Sequence, residues 1–219
     1  MKQTKLMTAL LLTLTLSWPT FSSELTDGPL KKPESEKIKD SSQEKSKTDL
    51  ESWYLRFSLG YAFPHYTGIL GKDFNHLRDD DEVSHYSIPI DLGIYWPIKD
   101  KLLLGVNHHE LYEDFDLFAK NISITQGYYS LSSLYFLNKT IGEGVYLRGD
   151  IGLSKFCFTI LSLNKTKGCT DFGVGAIGGS GYSYPISSQT RVNLDVNVSY
   201  TKSGNFTSRN LFFSAGFLW

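Results

Sequence analysis

The sequence has no apolar run long enough to cross a bilayer as a helix. Its longest, Leu6 to Trp18, covers about a dozen residues against the ~20 that a spanning helix needs, and nothing downstream approaches it. Cysteine is nearly absent, with two in 219 residues, and neither lies near the amino-terminal run, so a lipid-anchored N-terminus is not expected. Charge of one sign is lacking as well. Lys and Arg number 22 against 23 Asp and Glu, a net charge of −1. Losing Lys2 and Lys5 with a cleaved leader would make it 20 against 23, or −3. That balance gives nucleic acid no basic surface to bind.

What is present at the start is a leader. Lys2 and Lys5 form a positive n-region, the apolar run follows, and Thr20-Phe21-Ser22 supplies small residues for a signal peptidase. A signal peptide over residues 1–22 is expected. Residues 23–50 then interleave Lys31, Lys32, Glu34, Glu36, Lys37 and similar charges with Ser, Pro and Gln. Such a segment cannot bury enough apolar surface to offset its ordering entropy, so it reads as a disordered periplasmic linker. Residues 51–219 remain, one domain by length.

Within that domain apolar residues recur at every second position, the period of a strand with two unlike faces. Trp53, Leu55, Phe57, Leu59, Tyr61 and Phe63 alternate with Tyr54, Arg56, Ser58, Gly60 and Ala62. Similar alternation predicts strands over 85–96, 102–112, 122–137, 145–156, 171–184 and 191–200. The last strand ends on Leu211, Phe213, Ala215, Phe217 and Trp219, in strict period two. Two positions strain this reading: Pro89 removes a ladder donor, and 122–137 changes parity, which a bulge near Gly127 would reconcile. The connections after the second, fourth and sixth strands are short. Those after the first, third, fifth and seventh are mostly longer and more polar.

The architecture this predicts is all-β, an eight-stranded antiparallel up-and-down transmembrane β-barrel. Short turns at one end and long loops at the other are what outer-membrane barrels show. Trp53, Trp96, Tyr135, Tyr182, Tyr184 and Trp219 gather at the short-turn rim, with Phe136 beside them, and Phe63, Tyr86 and Tyr200 gather at the other, as aromatic girdles do. On these residues the domain resembles the small outer-membrane barrels of the OmpA and OmpX type. The resemblance implies an outer-membrane location in a Gram-negative-type bacterium, both termini periplasmic and a monomer. It also implies contact with outer-membrane lipid and lipopolysaccharide. Leu211, Phe213, Phe217 and Trp219 are similar to the terminal signal that the barrel-insertion machinery recognises.

An eight-stranded barrel is filled by side chains. Parity turns Arg56, Asp91, Arg148, Asp150, Asp171, Arg191 and Asp195 inward, and paired charges are the expected arrangement because an isolated buried charge is very costly. The inward glycines of 171–184 make room for long neighbours. Gly173, Gly175 and Gly178 match a dinucleotide fingerprint only by spacing, since no helix follows. No cofactor or metal set is found; Asp79, Asp80, Asp81 and Glu82 lack calcium-loop spacing. Cys157 and Cys169, twelve apart in one loop, are expected to form a disulfide, free thiols being the alternative.

The function expected is non-catalytic, a structural or adhesion-type role carried by the extracellular loops. The alternatives are a lipid A modifying enzyme and a narrow pore. His85-Tyr86-Ser87 superficially resembles the His-x-Ser pair of the PagL-type lipid A deacylases. However, its parity is inward, and Ile88 stands where that family has Asn. His108 and Glu110 face outward but have no serine beside them on their strand.

Overall fold

The structure is a computed structural model that describes residues 52–68, 71–117, 120–137, 140–161 and 166–219. The expected signal peptide and linker lie outside the described residues. The elements are β1 (Tyr54–Thr67), α1 (Gly71–Asp79), β2 (Ser84–Lys99), β3 (Leu102–Leu117), β4 (Lys120–Phe136), β5 (Gly144–Leu161), β6 (Thr166–Cys169), β7 (Gly173–Pro185), β8 (Arg191–Ser203) and β9 (Phe206–Leu218). Every strand pairs antiparallel with its neighbours. The order β4-β3-β2-β1-β9-β8-β7-β5 is closed by β4 pairing with β5, so eight strands make a complete barrel. β6 is a short addition that pairs only with the far end of β5. Closure matters in a bilayer, where an open sheet edge would leave backbone polar groups without partners.

Two of the four loops expected to be long are strand instead. Only positions 118 and 119 separate β3 from β4, and Gly204-Asn205 alone separates β8 from β9. The charged outward residues Asp114, Asp116, Lys202 and Arg209 read as loop, yet their strands simply rise beyond the apolar belt with the ladder intact. The expected bulge at Gly127 is also absent. β3 and β4 keep one register from Leu102↔Tyr135 to Leu117↔Lys120. Ile122 and Ile124 are apolar because they face an apolar layer inside the barrel mouth, so no parity change is needed. The irregularity that does occur is a register slip between Pro97 and Lys99.

Pro89 acts differently from a simple interruption. The β1–β2 ladder runs from Tyr54↔Tyr95 to Leu59↔Ile90 and stops there. Leu55 and Trp219 exchange both backbone hydrogen bonds at 2.9 Å, so odd positions of β1 turn their polar groups to β9 and even ones to β2. Continuing the register would set Pro89 against Gly60 and Pro64 against His85, two pairs in which one partner has no N–H to give. Above this point α1 substitutes for β2. Asn75 Oδ1 accepts from the Tyr66 N–H at 3.1 Å and its Nδ2 donates to the Tyr66 carbonyl at 2.8 Å, while Arg78 Nη1 donates to the Pro64 carbonyl at 2.6 Å.

The interior is layered. At the end carrying the β2–β3, β4–β5 and β7–β8 turns, which is the short-turn end of the sequence reading, Tyr54, Tyr95, Leu103, Leu134, Phe136, Ile141, Tyr146 and Leu218 form an apolar floor. Phe136 therefore points inward and fully buried, a correction to its expected place in the outer girdle. A charged and polar layer lies above the floor. Then come Ala62, Leu111, Tyr128, Ile177 and Phe212. At the α1 end Tyr66, Phe74, Phe115, Ile124, Phe156 and Phe206 close the mouth, with Phe74 supplied by α1.

Candidate functional site

The charged layer is built from inward positions of β1, β2, β5 and β8. Arg56 Nη2 donates to Asp195 Oδ2 at 2.7 Å, and both side chains are fully buried. Arg148 holds both other carboxylates. It donates to Asp91 through Nη1 at 2.8 Å and Nη2 at 3.0 Å, and to Asp150 through Nε at 2.9 Å and Nη2 at 2.6 Å. Each carboxylate has further neutral or titratable partners: Asn107 and His109 Nδ1 on Asp91, Ser132 on Asp150, and the Tyr146 hydroxyl on Asp195. Such density is what buried charges require, since their desolvation cost is offset only by close partners and extra hydrogen bonds.

The sequence-selected set is not one cluster. Arg56, Asp91, Arg148, Asp150 and Asp195 come together in the lumen. Asp171 does not; it is exposed, in the segment before β7, because that strand begins only at Gly173. Arg191 sits at the short-turn end, its guanidinium 5.6 Å from the Tyr54 ring centre and its Nη1 3.0 Å from the Gln189 carbonyl. Gly181 shows why the lumen strand is glycine-rich: a Cβ there would lie 2.5 Å from both Asp195 and the Tyr146 ring.

A second cluster, missed in the sequence, locks α1 into the mouth. Arg78 donates from Nε and Nη2 to Glu113 Oε1 at 2.8 and 2.6 Å, while the Tyr66 hydroxyl donates to Oε2 at 2.7 Å. The Arg78 guanidinium also lies 5.2 Å from the Tyr66 ring centre. Phe74, Leu77 and Arg78 at helical spacing were the available signal, hidden in a segment that otherwise reads as polar loop. At its far end Asp80 Oδ1 accepts from the Glu82 N–H at 3.0 Å, a local turn bond.

Outside, the belt is apolar. On β2 the outward residues are Tyr86, Ile88, Ile90, Leu92, Ile94 and Trp96, all more than a third exposed, over a height of about 25 Å expected for a membrane-facing band. Trp53, Trp96, Tyr135, Tyr182, Tyr184 and Trp219 are outward at the short-turn end, and Leu211, Phe213 and Phe217 are outward along β9. His85 and Ser87 face inward, with His85 stacked 5.9 Å from Phe115 and Ser87 buried. His108 and Glu110 break the belt. They face outward on β3, Nε2 to Oε2 at 3.4 Å, with the His108 ring 4.5 Å from that of Tyr129. Ser123, on β4, donates to Asp114 rather than meeting His108. Cys157 and Cys169 are joined by a disulfide, directly opposite each other where β6 pairs with β5.

A closed antiparallel barrel of eight strands is the arrangement shared with known outer-membrane proteins. The attachment invasion locus protein Ail of Yersinia pestis superimposes with a TM-score of 0.52, at 12% identity over 76% of this chain and 98% of that one. The chain has the fold of the small eight-stranded outer-membrane barrels. Ail in complex with the heparin analogue sucrose octasulfate gives a TM-score of 0.53, at 12% identity over 77% and 99% of the two chains. Neisserial surface protein A gives 0.47, at 16% identity over 76% and 96%. No protein-family model and no curated protein matches the sequence.

Proposed function

We propose that the protein is an integral outer-membrane barrel, termini periplasmic and α1 outside, that acts through its outward surface rather than by catalysis or conduction. The observation that carries this reading is the inversion of polarity: large apolar side chains face out around the belt while Arg56, Asp91, Glu113, Arg148, Asp150 and Asp195 are buried inside. A water-soluble barrel would bury the apolar face instead. The apolar floor and the aromatic mouth close the lumen at both ends, which argues against a pore. The surface offered outside comprises α1, the disulfide-tied β5–β6 hairpin and the rims of β3, β4, β8 and β9. Leu211, Phe213, Phe217 and Trp219 are then the residues read by the barrel-insertion machinery.

Fractionation with heat-modifiable gel mobility tests the location; a protein released from membranes at high pH would overturn it. Binding of intact cells to host surfaces, with α1 and the hairpin replaced by short turns, tests the surface role. Unchanged binding would remove it. One observation favours a second reading, hydrolysis of outer-leaflet lipid: the His108–Glu110 pair on the lipid-facing side, since ionisable residues there are costly and usually functional. An unaltered lipid A profile in His108→Ala and Glu110→Gln cells would sink it.

A further inference from the structure

The outer face of β7, β8, β9 and β1 carries a groove of about 560 Å³. Its apolar walls are Phe63, Val198, Tyr200 and Leu211, and Ala176 and Gly178 of β7 leave its floor low. Both small residues face outward, and Gly149 of β5, also outward, lies opposite Gly178 across the ladder. Gly178 is not required by packing, because a Cβ built there meets nothing within 4 Å, nor by an unusual backbone angle. Its effect is the hollow itself.

The groove ends at a cation. Arg209 lines its upper lip, with the guanidinium 5.9 Å from the Tyr200 ring centre. Tyr200 pairs with Arg209 across the β8–β9 ladder and Lys202 pairs with Thr207, so Lys202 and Arg209 are diagonal neighbours on the same exposed face, about 7 Å apart at such positions. Lys155 continues the basic rim, over the Phe172 ring at 5.2 Å. The opposite sector is acidic, with Glu110, Asp114 and Asp116 outward on β3. Lys202 and Arg209 therefore place two cations directly above this groove.

We propose that the groove holds an acyl chain of a phosphorylated glucosamine lipid, lipid A, whose phosphate is bound by Arg209 and Lys202. Arginine presents a planar fork suited to phosphate, lysine adds a point charge, and the hollow below takes the chain that a phosphate at that height must carry. The choice of glycolipid over glycerophospholipid rests on the orientation proposed above, which puts this lip in the outer leaflet.

The test is native mass spectrometry of the folded full-length barrel in neutral detergent, titrated with bisphosphorylated lipid A, dephosphorylated lipid A and phosphatidylglycerol. Bisphosphorylated lipid A should be retained about tenfold better than its dephosphorylated form. The Arg209→Gln/Lys202→Gln pair should lose that advantage. Gly178→Leu should weaken retention several-fold with no change of charge, and heat-modifiable mobility shows that each variant is folded. Equal retention of the dephosphorylated lipid, or unchanged retention in either variant, overturns the site. Stronger retention of phosphatidylglycerol overturns the assignment to glycolipid. Protease cleavage of the β5–β6 hairpin on intact cells reports orientation separately: if the hairpin is cut but the variants bind normally, the site fails while the orientation stands.

Discussion

Arg56 and Asp195 meet inside the barrel at 2.7 Å although β9 lies between their strands. The pair spans two ladders, so it ties β1 to β8 across the closing seam.

Breaking that pair from one side leaves a buried charge without its counter-ion. Arg56→Met is expected to destabilise the barrel by about 3–5 kcal/mol, and the Arg56→Met/Asp195→Leu double variant to recover most of the loss. Urea unfolding in vesicles, followed by tryptophan fluorescence, measures both. A double variant no more stable than the single would show that the remaining layer, and not this pair, sets the cost.

The α1 lock should be separable from the barrel. Arg78→Ala and Glu113→Gln each leave part of the Tyr66–Glu113–Arg78 cluster without a partner, a local loss of about 1–3 kcal/mol. Limited proteolysis should cut faster within residues 71–79 while heat-modifiable mobility is kept. Equal cutting rates in wild type and variants would remove the lock.

The shortened β1–β2 ladder predicts uneven hydrogen exchange. Gly60 and Ala62 amides, which turn toward β2 beyond the last ladder pair, should exchange faster than Tyr61 and Phe63, which pair with β9. Pro89→Val supplies an N–H to the Gly60 carbonyl and lets the ladder extend by one pair, so the Gly60 amide, which faces the carbonyl of residue 89, should exchange about fivefold more slowly, the worth of one net hydrogen bond of ~1 kcal/mol. Uniform protection along β1 would contradict the seam.

Reducing the Cys157–Cys169 disulfide should affect the hairpin far more than the barrel. The loop it closes is short and lies beyond the eight-strand cycle. Cys157→Ser/Cys169→Ser should show faster cleavage between 157 and 169, with the unfolding midpoint shifted little. A large fall in that midpoint would mean the hairpin helps support the barrel wall.

Strand number, parity and the outward belt were legible because period-two alternation is imposed directly by a wall with unlike sides. Arg56, Asp91, Arg148, Asp150 and Asp195 were legible as inward for the same reason, but which carboxylate each arginine takes depends on strand tilt, which parity does not contain. Glu113 and Arg209 were misplaced because charge beyond the belt reads as loop even where the ladder continues. α1 was missed because its apolar content is slight, and its value lies in what Asn75 and Arg78 reach across to. Asp171 and Arg191 share lumen parity but stand outside the lumen network, where parity alone no longer says what a side chain meets.

The mutual hydrogen bonds of Leu55 and Trp219 also have a kinetic consequence. Each successive strand pair can form as a local hairpin, but the β1–β9 ladder, from Arg56↔Leu218 to Thr67↔Thr207, joins the two ends of the domain. Loop-closure entropy must be met before any of those contacts forms. Assembly is therefore gated by its final step, and until then two unsealed edges face their surroundings, so the stage most open to mispairing is the one just before the cylinder shuts.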